Sequence, residues 1–79
     1  MEAHEVGEFV RSQRIKQGMT QLDVAELSEV SERFIRELET GKPTVRLDKT
    51  IAVLGVLGFD LTCEIHNANF SNSLRMGAR

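Results

Sequence analysis

Cysteine is almost absent from this chain. Cys63 stands alone, so no intrachain disulfide can form and no cysteine-based metal site can be assembled. Alternating with apolar residues, it is expected to be a small buried hydrophobe. The two histidines, His4 and His66, are far apart and neither has a second ligand close in sequence, so both are read as solvated or locally bonded rather than as metal ligands. No apolar run approaches the roughly 20 residues that span a bilayer. The opening stretch MEAHEVGEFV is acidic and has no signal-peptide pattern, so the expected location is the cytoplasm, away from membranes. A nucleophile with a partner base, a metal-ligand cluster and a phosphate-binding glycine loop are missing too; neither an enzyme nor a cofactor is expected.

The chain also lacks an excess of positive charge. Ten Lys and Arg against 12 Asp and Glu give a net charge of −2, which over the whole chain argues mildly against a nucleic-acid binder. The distribution says more than the sum. Glu2, Glu5, Glu8, Asp23, Glu26 and Glu29 crowd the first part of the chain, whereas Arg33, Arg36, Lys42 and Arg46 follow closely on one another. A local basic face on an acidic body would make binding to a polyanion strongly salt-dependent. The length of 79 residues allows one domain, burying only about 60% of its unfolded surface. With 41% hydrophobic and 28% charged residues, the composition is that of a folded chain rather than a disordered one.

What is present is organised around Thr20 to Gly41, TQLDVAELSEVSERFIRELETG. Thr20 is an N-cap, Leu22 to Leu27 a first helical run, and Ser28-Glu29-Val30 a turn. Ser31 caps a second helix that ends at Gly41, a residue free to take the left-handed conformation. This is the layout of a helix-turn-helix. The pattern of Thr20-Gln21, Ala25, Val30-Ser31, Ile35, Glu39 and Gly41 resembles the Xre/Cro type found in phage repressors. The continuation, Arg33-Phe34-Ile35 and then Leu38 to Asp48 with a following helix and a Leu57-Gly58-Phe59-Asp60-Leu61 strand, resembles the HipB-like antitoxin regulators. The likeness covers roughly residues 6 to 66. Glu29 departs from it, because the turn position is usually glycine. It must adopt a left-handed conformation at about 1 kcal/mol or close the turn differently; strain is expected rather than another fold.

The other elements follow from spacing. Residues 1–5 carry no periodic signal and are expected to fray. From Val6 the apolar spacing is helical, with Val6, Phe9, Val10 and Ile15 on one stripe, and Gly18 ends this helix. Met19, Val24, Ala25, Val30, Ile35 and Leu38 supply the core where helices cross. Leu22, Leu27 and Phe34 are expected to be half-buried, with an exposed partner-binding patch as the alternative. Pro43 fixes the turn after the third helix. Leu47, Ile51, Leu54 and Leu57 line a fourth helix, stopped by Gly58, and Gly55 within it suggests a close backbone approach. Phe59, Leu61, Cys63 and Ile65 alternate with polar residues and predict a strand over 59–66. No second strand is available, so this one is expected to pair with its copy across a two-fold axis, with Ile51 and Leu54 completing the dimer interface. Residues 67–79 are read as a flexible tail. The expected fold is mainly α, a four- to five-helix repressor-like domain at 6–58 with one dimerising strand.

The resemblance also assigns roles. It pairs Arg14 with Glu39 as an ion pair tying the first helix to the end of the recognition helix, against the blander reading of a solvated arginine. A recognition helix presents polar side chains at its N-terminal end to the major groove of double-stranded DNA, a position held here by Ser31, Glu32, Arg33 and Arg36. Arg33 is the first choice for a guanine edge. Glu32 either accepts from cytosine or organises an arginine, Arg36 reads a base or binds phosphate, and Glu37 is taken as solvated. Gln21 and Ser31, at helix starts, suit phosphate, with Lys42 and Arg46 flanking; simple capping and solvation is the alternative for all four. The implied function is a homodimeric repressor of an inverted-repeat operator that also binds a HipA-like serine/threonine kinase toxin. A stand-alone Xre-type regulator and a protein-interaction module are the alternatives.

Overall fold

A computed structural model of the chain describes residues 1–63. Four helices follow one another: α1 (Ala3–Lys16), α2 (Gln21–Ser28), α3 (Glu32–Glu39) and α4 (Leu47–Val56). Both α1 and α2 pack against α3, and α4 packs against α2. The core they enclose is Val10, Val24, Ala25, Phe34, Ile35, Leu38, Val53, Leu54 and Leu57, with Val6, Met19, Val30, Val45 and Leu61 closing over it. Three glycines end helices with positive φ: Gly18 at 74°, Gly41 at 87° and Gly58 at 94°.

The first helix begins earlier than its apolar spacing suggests. Ala3 to Glu5 are helical rather than frayed, because the Glu2 backbone N–H donates to the Glu5 carboxylate at 2.8 Å and so satisfies a donor that a helix start would otherwise leave free. Its inner face is also different. Val10 is buried and Val6 partly so, but Phe9 and Ile15 are exposed; Gly7 and Arg14 take inward places instead. A Cβ on Gly7 would collide with the backbone carbonyl of Leu38 and touch that of Glu39 at 3.0 Å. Glycine is therefore what lets α1 lie against the end of α3. Gly55, expected to mark such an approach, faces open space.

On α4 the chain's own core takes a different set from the apolar residues at helical spacing. Thr50, Val53 and Leu54 face inward, followed by Leu57 at the helix end, while Leu47 and Ile51 are exposed. Thr50 can be buried because its hydroxyl donates to the Arg46 carbonyl at 2.8 Å, leaving no orphaned polar group. Leu54, expected at a dimer interface, lies within the chain's own core. Of the three apolar residues expected to be half-buried, Phe34 is in the core, whereas Leu22 and Leu27 are exposed.

After α4, Phe59 packs edge-on against Phe9, with ring centroids 4.8 Å apart. Among the described residues there is no strand; 59–63 form no ladder, and no other described segment is extended beside them. Cys63 is exposed rather than buried. Ile65, the rest of the expected strand and the 67–79 tail lie outside the described residues. No helix among the described residues is long and apolar enough to cross a membrane.

Candidate nucleic-acid interface

The two helices of the motif are each fixed at their starts by a side chain. Thr20 caps α2: its hydroxyl accepts from the Asp23 backbone N–H at 3.0 Å, and its own N–H donates to the Asp23 carboxylate at 2.9 Å. This bond holds the Asp23 carboxyl below its ordinary value. Ser31 caps α3 by accepting from the Phe34 N–H at 3.0 Å. Between them Glu29 adopts the left-handed conformation, φ 61° and ψ 40°. The turn keeps the shape that glycine would give it, and a side chain bears the strain.

At its C-terminal end α3 is tied down from within. Arg14 grips Glu39 through two donors, Nε to Oε2 at 2.7 Å and Nη2 to Oε1 at 3.1 Å, and its Nη1 donates to the Met19 carbonyl at 2.9 Å. The side chains are 12% and 2% exposed. The bond to Glu39, outweighing the effect of burial, raises the Arg14 pKa further. Gln21 joins the pair, its Nε2 donating to Glu39 Oε1 at 3.1 Å. One carboxylate thus links α1, α2 and α3. The side chain of Gln21 is committed to this link, which spacing alone could not reveal.

The opposite face of α3 is open. Ser31, Glu32, Arg33 and Arg36 are all exposed, because Phe34, Ile35, Leu38 and Glu39 turn the other side inward. Lys42 and Arg46 are exposed in the connection that follows. Each cation here has a carboxylate within reach. Arg33 Nε lies 3.1 Å and Lys42 Nζ 3.3 Å from the two oxygens of Glu37. Arg36 lies 3.8 Å from Glu32. Arg46 meets Asp48 with two bonds, of 3.1 and 2.7 Å. Bonding from Lys42 first, and then Arg33, holds the Glu37 carboxyl low; Arg46 does the same to Asp48. Four cations face three carboxylates, so the surface is far less basic than its cations alone imply. Glu37, expected to be solvated, is shared between two cations, and Asp48 is an unexpected partner of Arg46. The i,i+4 spacing of Arg33 and Glu37 was the available signal.

The HTH_3 family model, described as helix-turn-helix, matches residues 10–62. The chain belongs to this helix-turn-helix family. Within the family, the chain is similar to an uncharacterized HTH-type transcriptional regulator, y4mF, of Sinorhizobium fredii: 41% identical over 54 residues, covering 68% of this chain and 71% of that one. Among solved structures it resembles the clp gene regulator ClgR from Corynebacterium glutamicum, with a TM-score of 0.66 and 33% identity over 73% of this chain. The chain spans 62% of the ClgR chain. Among the described residues no group of acidic, histidine and cysteine side chains could hold a metal ion.

Proposed function

We propose that this chain is a sequence-specific DNA-binding transcriptional repressor acting as a homodimer on an inverted-repeat operator. The observation that carries this reading is the outward face of α3, held in place from within by Arg14, Glu39 and Gln21. On it Arg33, 78% exposed at its side chain, is placed to bond a guanine edge through O6 and N7. Arg36 reads a base or binds phosphate, and Glu32 accepts from cytosine or orients Arg36. Phosphate contacts come from Gln21 and Ser31 at the helix starts, where free backbone N–H groups attract an anion, and from Lys42 and Arg46. Since the Gln21 side chain already serves Glu39, its phosphate contact falls to the backbone amide.

Dimerisation brings two recognition helices about 34 to 36 Å apart on successive major grooves. In this reading residues 59–66 pair with their copy, with Phe59, Leu61, Cys63 and Ile65 as the apolar row, and exposed Ile51 packs beneath; Leu54 supports it from inside the protomer. Such pairing satisfies the backbone groups that a single chain leaves without a ladder. The likeness of residues 33–48 and 57–61 to HipB-like antitoxins extends the proposal to a HipA-like kinase toxin as partner. A stand-alone regulator is the second reading, supported by the names of the two relatives, both of which are regulators.

Co-expression with the adjacent gene, followed by retardation of the DNA upstream of its own gene, tests both. A kinase-sized partner that co-purifies, with a palindromic site retarded, supports the antitoxin. Retardation without a partner selects the stand-alone regulator. No retardation removes the DNA-binding reading.

A further inference from the structure

Glu37 occupies an unusual place for a carboxylate on a surface meant for DNA. It sits on α3 one turn beyond Arg33, facing the connection that carries Lys42, and each of its two oxygens accepts from a different one of these cations. It is also less exposed than either partner, 30% against 78% and 44%. Among the described residues nothing else bonds its carboxylate, and the hydroxyl of Thr40 donates to its backbone carbonyl instead. The carboxylate is therefore not needed to build the helix end.

We propose that Glu37 is a specificity-determining residue, acting as an internal competitor for phosphate. It holds Arg33 and Lys42 on one carboxylate, and they leave it only where the DNA offers both a guanine edge and a well-placed phosphate. On DNA of arbitrary sequence the exchange gains little, because Lys42 trades one anion for another and Arg33 finds no partner. The buried carboxylate that organises the fold, Glu39, is not part of this competition. This inference rests on the DNA-binding reading above and assigns a regulatory weight to one side chain within it.

Fluorescence anisotropy with two duplexes, one of random sequence and one from the DNA upstream of its own gene, tests it between about 50 and 200 mM salt, the range over which phosphate contacts dominate affinity. Relative to the unmodified protein, Glu37→Gln should tighten binding to the random duplex about three- to tenfold, the effect expected from freeing two weakly paired surface cations. It should steepen the slope of log K against log salt by about 1 to 2. The upstream duplex should gain less, so the ratio between the two duplexes falls. Glu8→Gln removes the same unit of charge from the exposed side of α1 rather than from beside Arg33, and should move neither the ratio nor the slope comparably. The proposal is overturned if Glu37→Gln leaves random-sequence binding unchanged or weakens it, and equally if Glu8→Gln reproduces the effect. If the unmodified protein and Glu37→Gln bind neither duplex, the DNA-binding reading itself fails.

Discussion

Glu37 and Glu39 stand two residues apart on α3, and each accepts hydrogen bonds from two other side chains. Glu39 is turned inward, 2% exposed, with Arg14 and Gln21 around it; Glu37 is turned outward, with Arg33 and Lys42. Their chemistry is nearly the same, and their surroundings separate them. Removing water from both members of a pair makes each depend on the other, so that losing one strands a buried charge. A pair left in water has alternatives at every moment and contributes little to stability. The inner glutamate therefore fixes where α3 sits, and the outer one governs what Arg33 and Lys42 are free to meet.

The sharpest way to break this contrast is to truncate the inner pair. Arg14→Ala or Glu39→Ala should cost about 3 kcal/mol or more. In a domain of this size that lowers the melting temperature by about 12 °C or more, whereas Glu37→Ala should leave a melt followed by circular dichroism nearly unmoved. A shift of only a degree or two for Glu39→Ala would sink the assignment. Next in size is Gly7→Ala, which forces α1 away from the Leu38 carbonyl and should cost about 2 kcal/mol as an overpacking change, read from the same melt. Glu29→Gly works in the opposite direction. Relieving a left-handed φ of 61° should stabilise by about 0.5 to 1 kcal/mol, less than the full strain because glycine also loosens the unfolded chain. The check is a higher urea midpoint with an unchanged slope.

The smallest effect concerns pH. Asp23, Glu37 and Asp48 all have carboxyls held below their ordinary values in the folded chain. Each contributes stability above its unfolded pKa and loses it as pH falls through the lower folded one. Stability should therefore decline on the acid side, beginning near the ordinary values of 3.8 for Asp and 4.5 for Glu. Asp23→Asn should flatten that decline slightly; a steeper decline would contradict the capping role.

How far the sequence discloses all this depends on which physical signal each feature carries. The motif was legible because its boundaries are written in residues with local consequences: Thr20 and Ser31 as caps, and Gly18, Gly41 and Gly58 at positive φ. Even the strain at Glu29 could be read from a missing glycine. The inner face of α1 was not legible, because apolar periodicity gives no weight to Gly7 or Arg14. One is buried for lack of a side chain, the other because its charge is met. Thr50 was missed on the inner face of α4 for the same reason, since a threonine returning its hydroxyl bond to the Arg46 carbonyl counts as polar in any pattern. The strand expected over 59–66 has no ladder in its described part, 59–63, because alternation of apolar and polar residues indicates a face to bury and not a partner row to bond. The exposure of Ser31, Glu32, Arg33 and Arg36 follows from helical spacing, and so do the i,i+4 pairs of Arg33 with Glu37 and Arg36 with Glu32, whereas the reach of Lys42 back to Glu37 depends on the connection after α3.

The central claim is that the outer face of α3 contacts DNA while the inner face only builds the fold. Its most direct test is the affinity of Arg33→Ala for the DNA upstream of its own gene, compared at one salt concentration with the unmodified protein. The account predicts a loss of about tenfold, the value of one good bidentate base contact, with a thermal melt that overlays the unmodified protein. Unchanged affinity in a variant that melts normally would contradict it.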